Sequence, residues 1–101
     1  MADVFEALAA PARRTILDVL SERDGQTLFE ICSRLTMRHG LTLTRQAISQ
    51  HLDVLEAAGL LSTRREGKYK YHFLDTTPLN AIVRRWLKPG RKGAKNEDRG
   101  D

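Results

Sequence analysis

Residues 44–65 read Thr44-RQAISQHLDVLEAAGLLSTR-Arg65, and the fold turns on how this run is divided. Thr44 offers a hydroxyl to cap a helix. Ala47, Ile48, Leu52 and Leu55 then recur at helical spacing on one face. Gly59 supplies the left-handed stop, and the chain passes directly into a strand. The opposite face carries Arg45, Gln46, Ser49 and Gln50. These short or fork-ended donors and acceptors are the types that read base edges in a major groove. The same residues would also suit the solvated face of an ordinary amphipathic helix. The basic hairpin that follows favours the first reading, because helix and hairpin would then face one polyanion.

Downstream, Leu60–Arg64 and Tyr69–Leu74 read as two strands, with Glu66-Gly67 in the tight turn between them. The second strand alternates Tyr69, Tyr71 and Phe73 with Lys68, Lys70 and His72. This predicts an apolar face packed on the domain, both tyrosine rings included, and a basic face outside. Arg64, Arg65, Lys68 and Lys70 are candidate phosphate contacts, joined by Thr44 and His51. His51, beside Leu52, reads equally as a partly buried structural histidine. Asp75 or Thr77 caps a last helix that opens with Pro78 and carries Leu79, Ile82, Val83, Trp86 and Leu87 on one broad stripe. Pro89-Gly90 ends it. Residues 89–101 are charged and lack large apolar side chains, which predicts a disordered tail.

Upstream, Asp3–Ala9 is a short helix with Val4, Phe5 and Leu8 on one side. Ala10-Pro11 interrupts it, since a residue before proline is pushed out of helical geometry and proline suits a first turn. A second helix runs from Pro11 to about Ser21 and buries Ile16, Leu17 and Leu20. Asp24-Gly25 marks a turn. Thr27 caps a third helix with Glu30 at the reciprocal capping-box position. Its stripe is Leu28, Ile31 and Leu35, with Cys32 at the edge; Gly40 ends it, and Leu41–Leu43 form a short link. The order α-α-α-α-β-β-α is mainly helical with a small β-hairpin. It predicts a winged helix-turn-helix in one domain, residues 1–88.

With 101 residues, such a domain buries only about 60–68% of its unfolded surface. The stripe of Leu79, Ile82, Val83 and Trp86, beside Val4, Phe5 and Leu8, exceeds what so thin a core covers. It predicts an interface between two protomers. The net charge is +4, and its distribution is uneven. Residues 1–30 hold three Lys/Arg against six Asp/Glu, residues 61–75 four against two, and residues 76–101 seven against three. Cys32 is the only cysteine, so no intrachain disulfide forms and a reducing cytoplasm is expected. No apolar run approaches a membrane span, and the acidic N-terminus is unlike a signal peptide. His39, His51 and His72 lie on different elements without obvious partners. Neither catalysis nor a cofactor is expected.

SQHLDVLEAAGLL, followed by a basic hairpin ending YHFLD, resembles the ArsR family of winged-helix repressors, and FEALAAPARRTILDVL resembles that family's N-terminal helices. The resemblance covers about residues 3–87. It implies a cytoplasmic bacterial homodimer that binds a palindromic operator in double-stranded DNA and represses transcription; it names no inducer. Two departures stand out. TMRHGLTL, between Leu35 and Thr44, exceeds a tight helix-turn-helix turn, so either the third helix is about one turn longer or the turn is a loop. Metal-sensing members place two cysteines one residue apart in the third helix; here Cys32 is followed by Arg34 at the second position. Where other members carry His and carboxylate ligands on the last helix, this chain has Asn80, Arg84, Arg85 and Lys88. Cations do not ligate metals, so no metal site is expected. The competing functional readings are a winged-helix protein-interaction module without DNA binding and a thiol-based redox sensor using Cys32.

Overall fold

The computed structural model describes residues 3–87; Lys88, the Pro89-Gly90 stop and the tail expected at 89–101 lie outside them. Five helices and one hairpin follow in the predicted order: α1 (Val4–Ala9), α2 (Pro11–Glu22), α3 (Leu28–His39), α4 (Arg45–Ala57), β1 (Leu61–Glu66), β2 (Tyr69–Leu74) and α5 (Thr77–Trp86). The local signals account for most boundaries. Asp3 Oδ1 accepts from the Phe5 amide at 3.0 Å. Pro11 opens α2. The Thr27/Glu30 capping box is formed in both directions, satisfying donors that a helix start otherwise leaves bare. Thr44 Oγ1 accepts from the Ala47 amide at 3.0 Å. Gly59, at φ 79°, turns the chain out of α4.

The extra residues between Leu35 and Thr44 become helix first and link second. α3 continues through Thr36–His39 to Gly40, which takes the left-handed conformation at φ 63°. Leu41 and Leu43 then pack partly against the core, so the link is tethered at two points.

The core gathers Ala7 from α1, Ile16, Val19 and Leu20 from α2, Ile31 and Leu35 from α3, Ile48, Leu52 and Leu55 from α4, and Ala58, Leu60 and Leu61 at the start of the hairpin. Each fully buried Ile, Leu or Val contributes about 1.5–3 kcal/mol of transfer free energy. In α2 the fully buried set is Ile16, Val19 and Leu20, whereas Leu17 is half-buried. The expected stripe was therefore rotated slightly from the true one.

Three expectations about the wing are corrected. First, Glu66 belongs to β1 and pairs with Tyr69. The two-residue turn is thus Gly67-Lys68, with Gly67 at φ 62°, the positive φ that primed hairpin turns require at their first central position. Second, the alternation in β2 is present but the faces are exchanged. His72 is only 5% exposed, whereas Tyr69 is 53% exposed. The pairs Leu61–Leu74, Thr63–His72 and Arg65–Lys70 share the inward face; Ser62–Phe73, Arg64–Tyr71 and Glu66–Tyr69 share the outward one. The tyrosine rings pack on each other, with centroids 6.4 Å apart, rather than on the core.

The cause is a bridge from the α2–α3 loop. Gln26 and His72 exchange backbone hydrogen bonds of 3.1 and 2.8 Å, and His72 Nδ1 donates to the Gln26 carbonyl at 2.8 Å. Asp24 Oδ1 accepts from the Leu74 amide at 2.7 Å. This loop makes an isolated antiparallel bridge to β2 and fixes which face turns inward. Third, the N-cap position of α5 is Thr76 and not Asp75 or Thr77. The capping bond still comes from Asp75, whose Oδ1 accepts from the Thr77 amide at 2.9 Å.

Candidate nucleic-acid interface

α4 is held by its buried stripe and its Thr44 cap, so its other face is fixed in direction. Arg45, Gln46 and Gln50 on that face are exposed and Ser49 is half-buried. The hairpin stands beside it. Arg45 and Ser49 line one cleft together with Leu52, Asp53 and Glu56 further along α4, Thr27, Leu28 and Phe29 at the start of α3, and Lys68, Tyr69, Lys70 and His72 of the wing. Gln46 and Gln50 lie off this cleft. The structure thus divides the four candidate base readers into a wing-side pair and a free pair.

The cations of the wing are divided as well. Arg65 and Lys70 face each other directly on the inward side, and like charges in that position destabilise a hairpin. Arg64 is on the outward side. Its guanidinium lies over the Phe73 ring at 5.0 Å, and its Nε meets Glu66 at 3.6 Å. Arg64 is therefore not gathered with Arg45, Lys68 and Lys70.

His51 is also set apart. Its Nδ1 accepts from Arg13 at 3.2 Å, and Arg13 donates in addition to the carbonyls of Ala7 and Glu6 at 2.8 and 3.2 Å. Burial first, and the Arg13 charge second, push His51 below the usual histidine range. The neutral ring this favours is the form whose Nδ1 lone pair can accept a hydrogen bond from Arg13. Of its two readings, the geometry supplies partners for the structural one: His51 joins α4 to the α1–α2 junction.

Asp53 and Phe29 were not among the sequence candidates. Asp53 had a signal, since 45, 49 and 53 are successive i, i+4 positions. Phe29 had none, because its approach to the wing depends on the long-range Gln26–His72 bridge.

The residues of a family-type metal site do not fit a metal. Among the described residues no group of three or more His, Cys, Asp or Glu side chains is placed to hold one. Burial pushes the Cys32 thiol up, with Arg45 opposing, so the thiolate that metals and oxidants need is disfavoured. No helix among the described residues is long and apolar enough to cross a membrane.

The model of the family described as "Helix-turn-helix domain" matches residues 8–64. Over 84 residues, covering 83% of this chain and 91% of the relative, the sequence is 45% identical to the uncharacterized HTH-type transcriptional regulator YuzN of Bacillus subtilis. It is 33% identical to the transcriptional repressor SdpR of the same organism, over 86% of this chain and 88% of that one. Among solved structures, an ArsR-like transcriptional regulator from Rhodococcus superposes with a TM-score of 0.70 at 32% identity, over 81% of this chain and 69% of that one. The chain belongs to the ArsR-family winged helix-turn-helix transcriptional regulators. In this regulator α3 and α4 are the helix-turn-helix and β1–β2 the wing. A further structural neighbour, the homodimeric winged helix-turn-helix DNA-binding domain Mb0332 of Mycobacterium bovis, has a TM-score of 0.62 at 26% identity, over 94% of this chain and 84% of that one. The regulator is a DNA-binding transcription factor, in a family of transcriptional regulators and not of enzymes.

Proposed function

We propose that this regulator is a homodimeric repressor that reads an inverted-repeat operator with α4 and grips its phosphates with the wing. One observation carries the reading: Arg45 and Ser49 of α4 border one groove with Lys68 and Lys70 of the wing, and the wing cations Arg65, Lys68 and Lys70 have no carboxylate within 4.0 Å among the described residues. A hairpin that places Arg65 opposite Lys70 is destabilised alone and relieved by a polyanion. Gln46 and Gln50, clear of the wing, are assigned to base edges, with Arg45 and Ser49 beside them; Thr44 is assigned to the flanking backbone.

Dimerisation supplies the second half of the reading. Phe5 and Trp86 meet with ring centroids 6.2 Å apart, yet are 52% and 58% exposed, and Val83 is 50% exposed. Val4, Leu8, Leu79 and Ile82 lie half-buried around them. Apolar surface of this kind is what a second copy covers by two-fold symmetry. The two α4 helices would then enter successive major grooves roughly 34 Å apart. The repressor relative and the homodimeric neighbour support this assignment. A cytoplasmic site of action follows from it. The test is selection of operators from random duplex DNA, followed by gel shifts over a salt series. Selective, salt-dependent binding of two protomers per site supports the proposal. Absence of salt-dependent binding to any duplex would instead support the protein-interaction alternative.

A further inference from the structure

The cleft between the start of α3, α4 and the wing has a volume of about 310 Å³, at the lower end of small-molecule sites. DNA explains only part of its chemistry. Phosphates would satisfy Arg45, Lys68 and Lys70. They would repel Asp53 and Glu56, which line the same cleft. Glu56 is partly occupied, accepting from the Thr63 hydroxyl at 3.2 Å. Asp53 has no hydrogen-bond or ion-pair partner among the described residues. His72 also lines the cleft and is 5% exposed. Its Nδ1 is committed to the Gln26 carbonyl, and its Nε2 has no hydrogen-bond partner among the described residues. Leu28, Phe29, Leu52 and Tyr69 supply the apolar part of the lining, and Phe29 is 67% exposed.

We propose that this cleft binds a small aromatic zwitterion: a flat ring carrying a carboxylate and an ammonium group, of the size of an aromatic amino acid. The ring stacks between Phe29, Leu52 and Tyr69. The carboxylate pairs with Arg45, Lys68 and Lys70, and the ammonium donates to Asp53. Such a ligand occupies Arg45 and the wing lysines, so it competes with operator DNA. This regulatory consequence rests on the proposed repressor function; ligand binding itself does not.

The experiment is isothermal titration of the full chain, without DNA, with four probes: L-tyrosine, L-tryptophan, 3-phenylpropionate and phenethylamine. At least one amino acid should bind saturably at one site per protomer, at least tenfold more tightly than either singly charged analogue. Asp53→Asn should weaken that amino acid at least tenfold, while binding of 3-phenylpropionate and of operator DNA should not weaken. No saturable binding by either amino acid would overturn the proposal, as would equal binding of 3-phenylpropionate or an Asp53→Asn variant that binds like wild type. Leu52→Ile, which keeps core volume, gives a second reading of the apolar wall by altering affinity for all four probes. In a parallel gel shift the bound amino acid should raise the protein concentration needed for half-maximal operator binding at least fivefold. Binding without that shift would overturn the competition. Failure of DNA binding in the absence of any probe would instead refute the repressor function while leaving the titration interpretable.

Discussion

Replacing Trp86 with alanine should split the dimer and, with it, operator binding. An aromatic side chain carries roughly 150–250 Å² of surface. With Trp86 58% exposed in the protomer, on the order of 100 Å² awaits a partner. At ~25 cal/mol per Å² this is about 2.5 kcal/mol per protomer. Two-fold symmetry counts it twice, about 5 kcal/mol. Alanine retains part of the contact, so the expected loss is about 3–4 kcal/mol, or two to three decades in dimer Kd. Within the protomer Trp86→Ala removes the aromatic contact with Phe5, at 6.2 Å, and the cation–π contact with Arg85, at 4.6 Å, worth about 1 kcal/mol each. It is not part of the buried core, so the protomer should still fold. Sedimentation equilibrium over nanomolar to micromolar concentration reads the Kd, and far-ultraviolet circular dichroism checks helix content. A Trp86→Ala dimer Kd within threefold of wild type, with helix content intact, would refute the assignment of α1 and α5 to the interface.

Gln46→Ala and Gln50→Ala should each cost roughly 1–3 kcal/mol on the selected operator and relax preference at one base position per half-site. Wild-type affinity in competition gel shifts would remove that residue from base reading. Arg65→Ala and Lys68→Ala should weaken binding to all sequences alike and lower the slope of log K against log salt by roughly 1 each; unchanged slopes in both would detach the wing from DNA. The lowered His51 pKa means that the folded state binds fewer protons than the unfolded chain just below the ordinary histidine value of about 6.5. Its contribution to stability is therefore complete above about pH 6.5 and is lost as pH falls toward the folded value. Thermal melts should show a smaller acid-induced drop in Tm for His51→Gln than for wild type, and equal drops would exclude His51 from the acid response.

What could be read from the sequence was local. The Thr27/Glu30 box, Pro11, Thr44 and Gly59 each act within a turn of their own position, and the α4 stripe of Ile48, Leu52 and Leu55 is set by helical period alone. What could not be read depended on distant contacts. The period of β2 was plain in Tyr69–Phe73, but period does not say which face is inside. That was decided by Gln26, 46 residues away from His72. The same contact brings Thr27, Leu28 and Phe29 to the wing and so creates the cleft. Asp53 then counts as a cleft residue although it reads as an ordinary exposed helix position. Arg64 and His51 illustrate the reverse case. Their types suit phosphate, yet local partners, Phe73 and Glu66 for one and Arg13 for the other, already engage them.

The central claim is that two copies of α4 enter two successive major grooves of one operator. Hydroxyl-radical footprinting and guanine-methylation interference on a selected operator test it together. The account predicts two protected patches related by a two-fold axis, their centres about 10 base pairs apart on one face of the duplex, with interference at major-groove guanine N7 positions in both. A single patch, or protection unaffected by major-groove methylation, would contradict it.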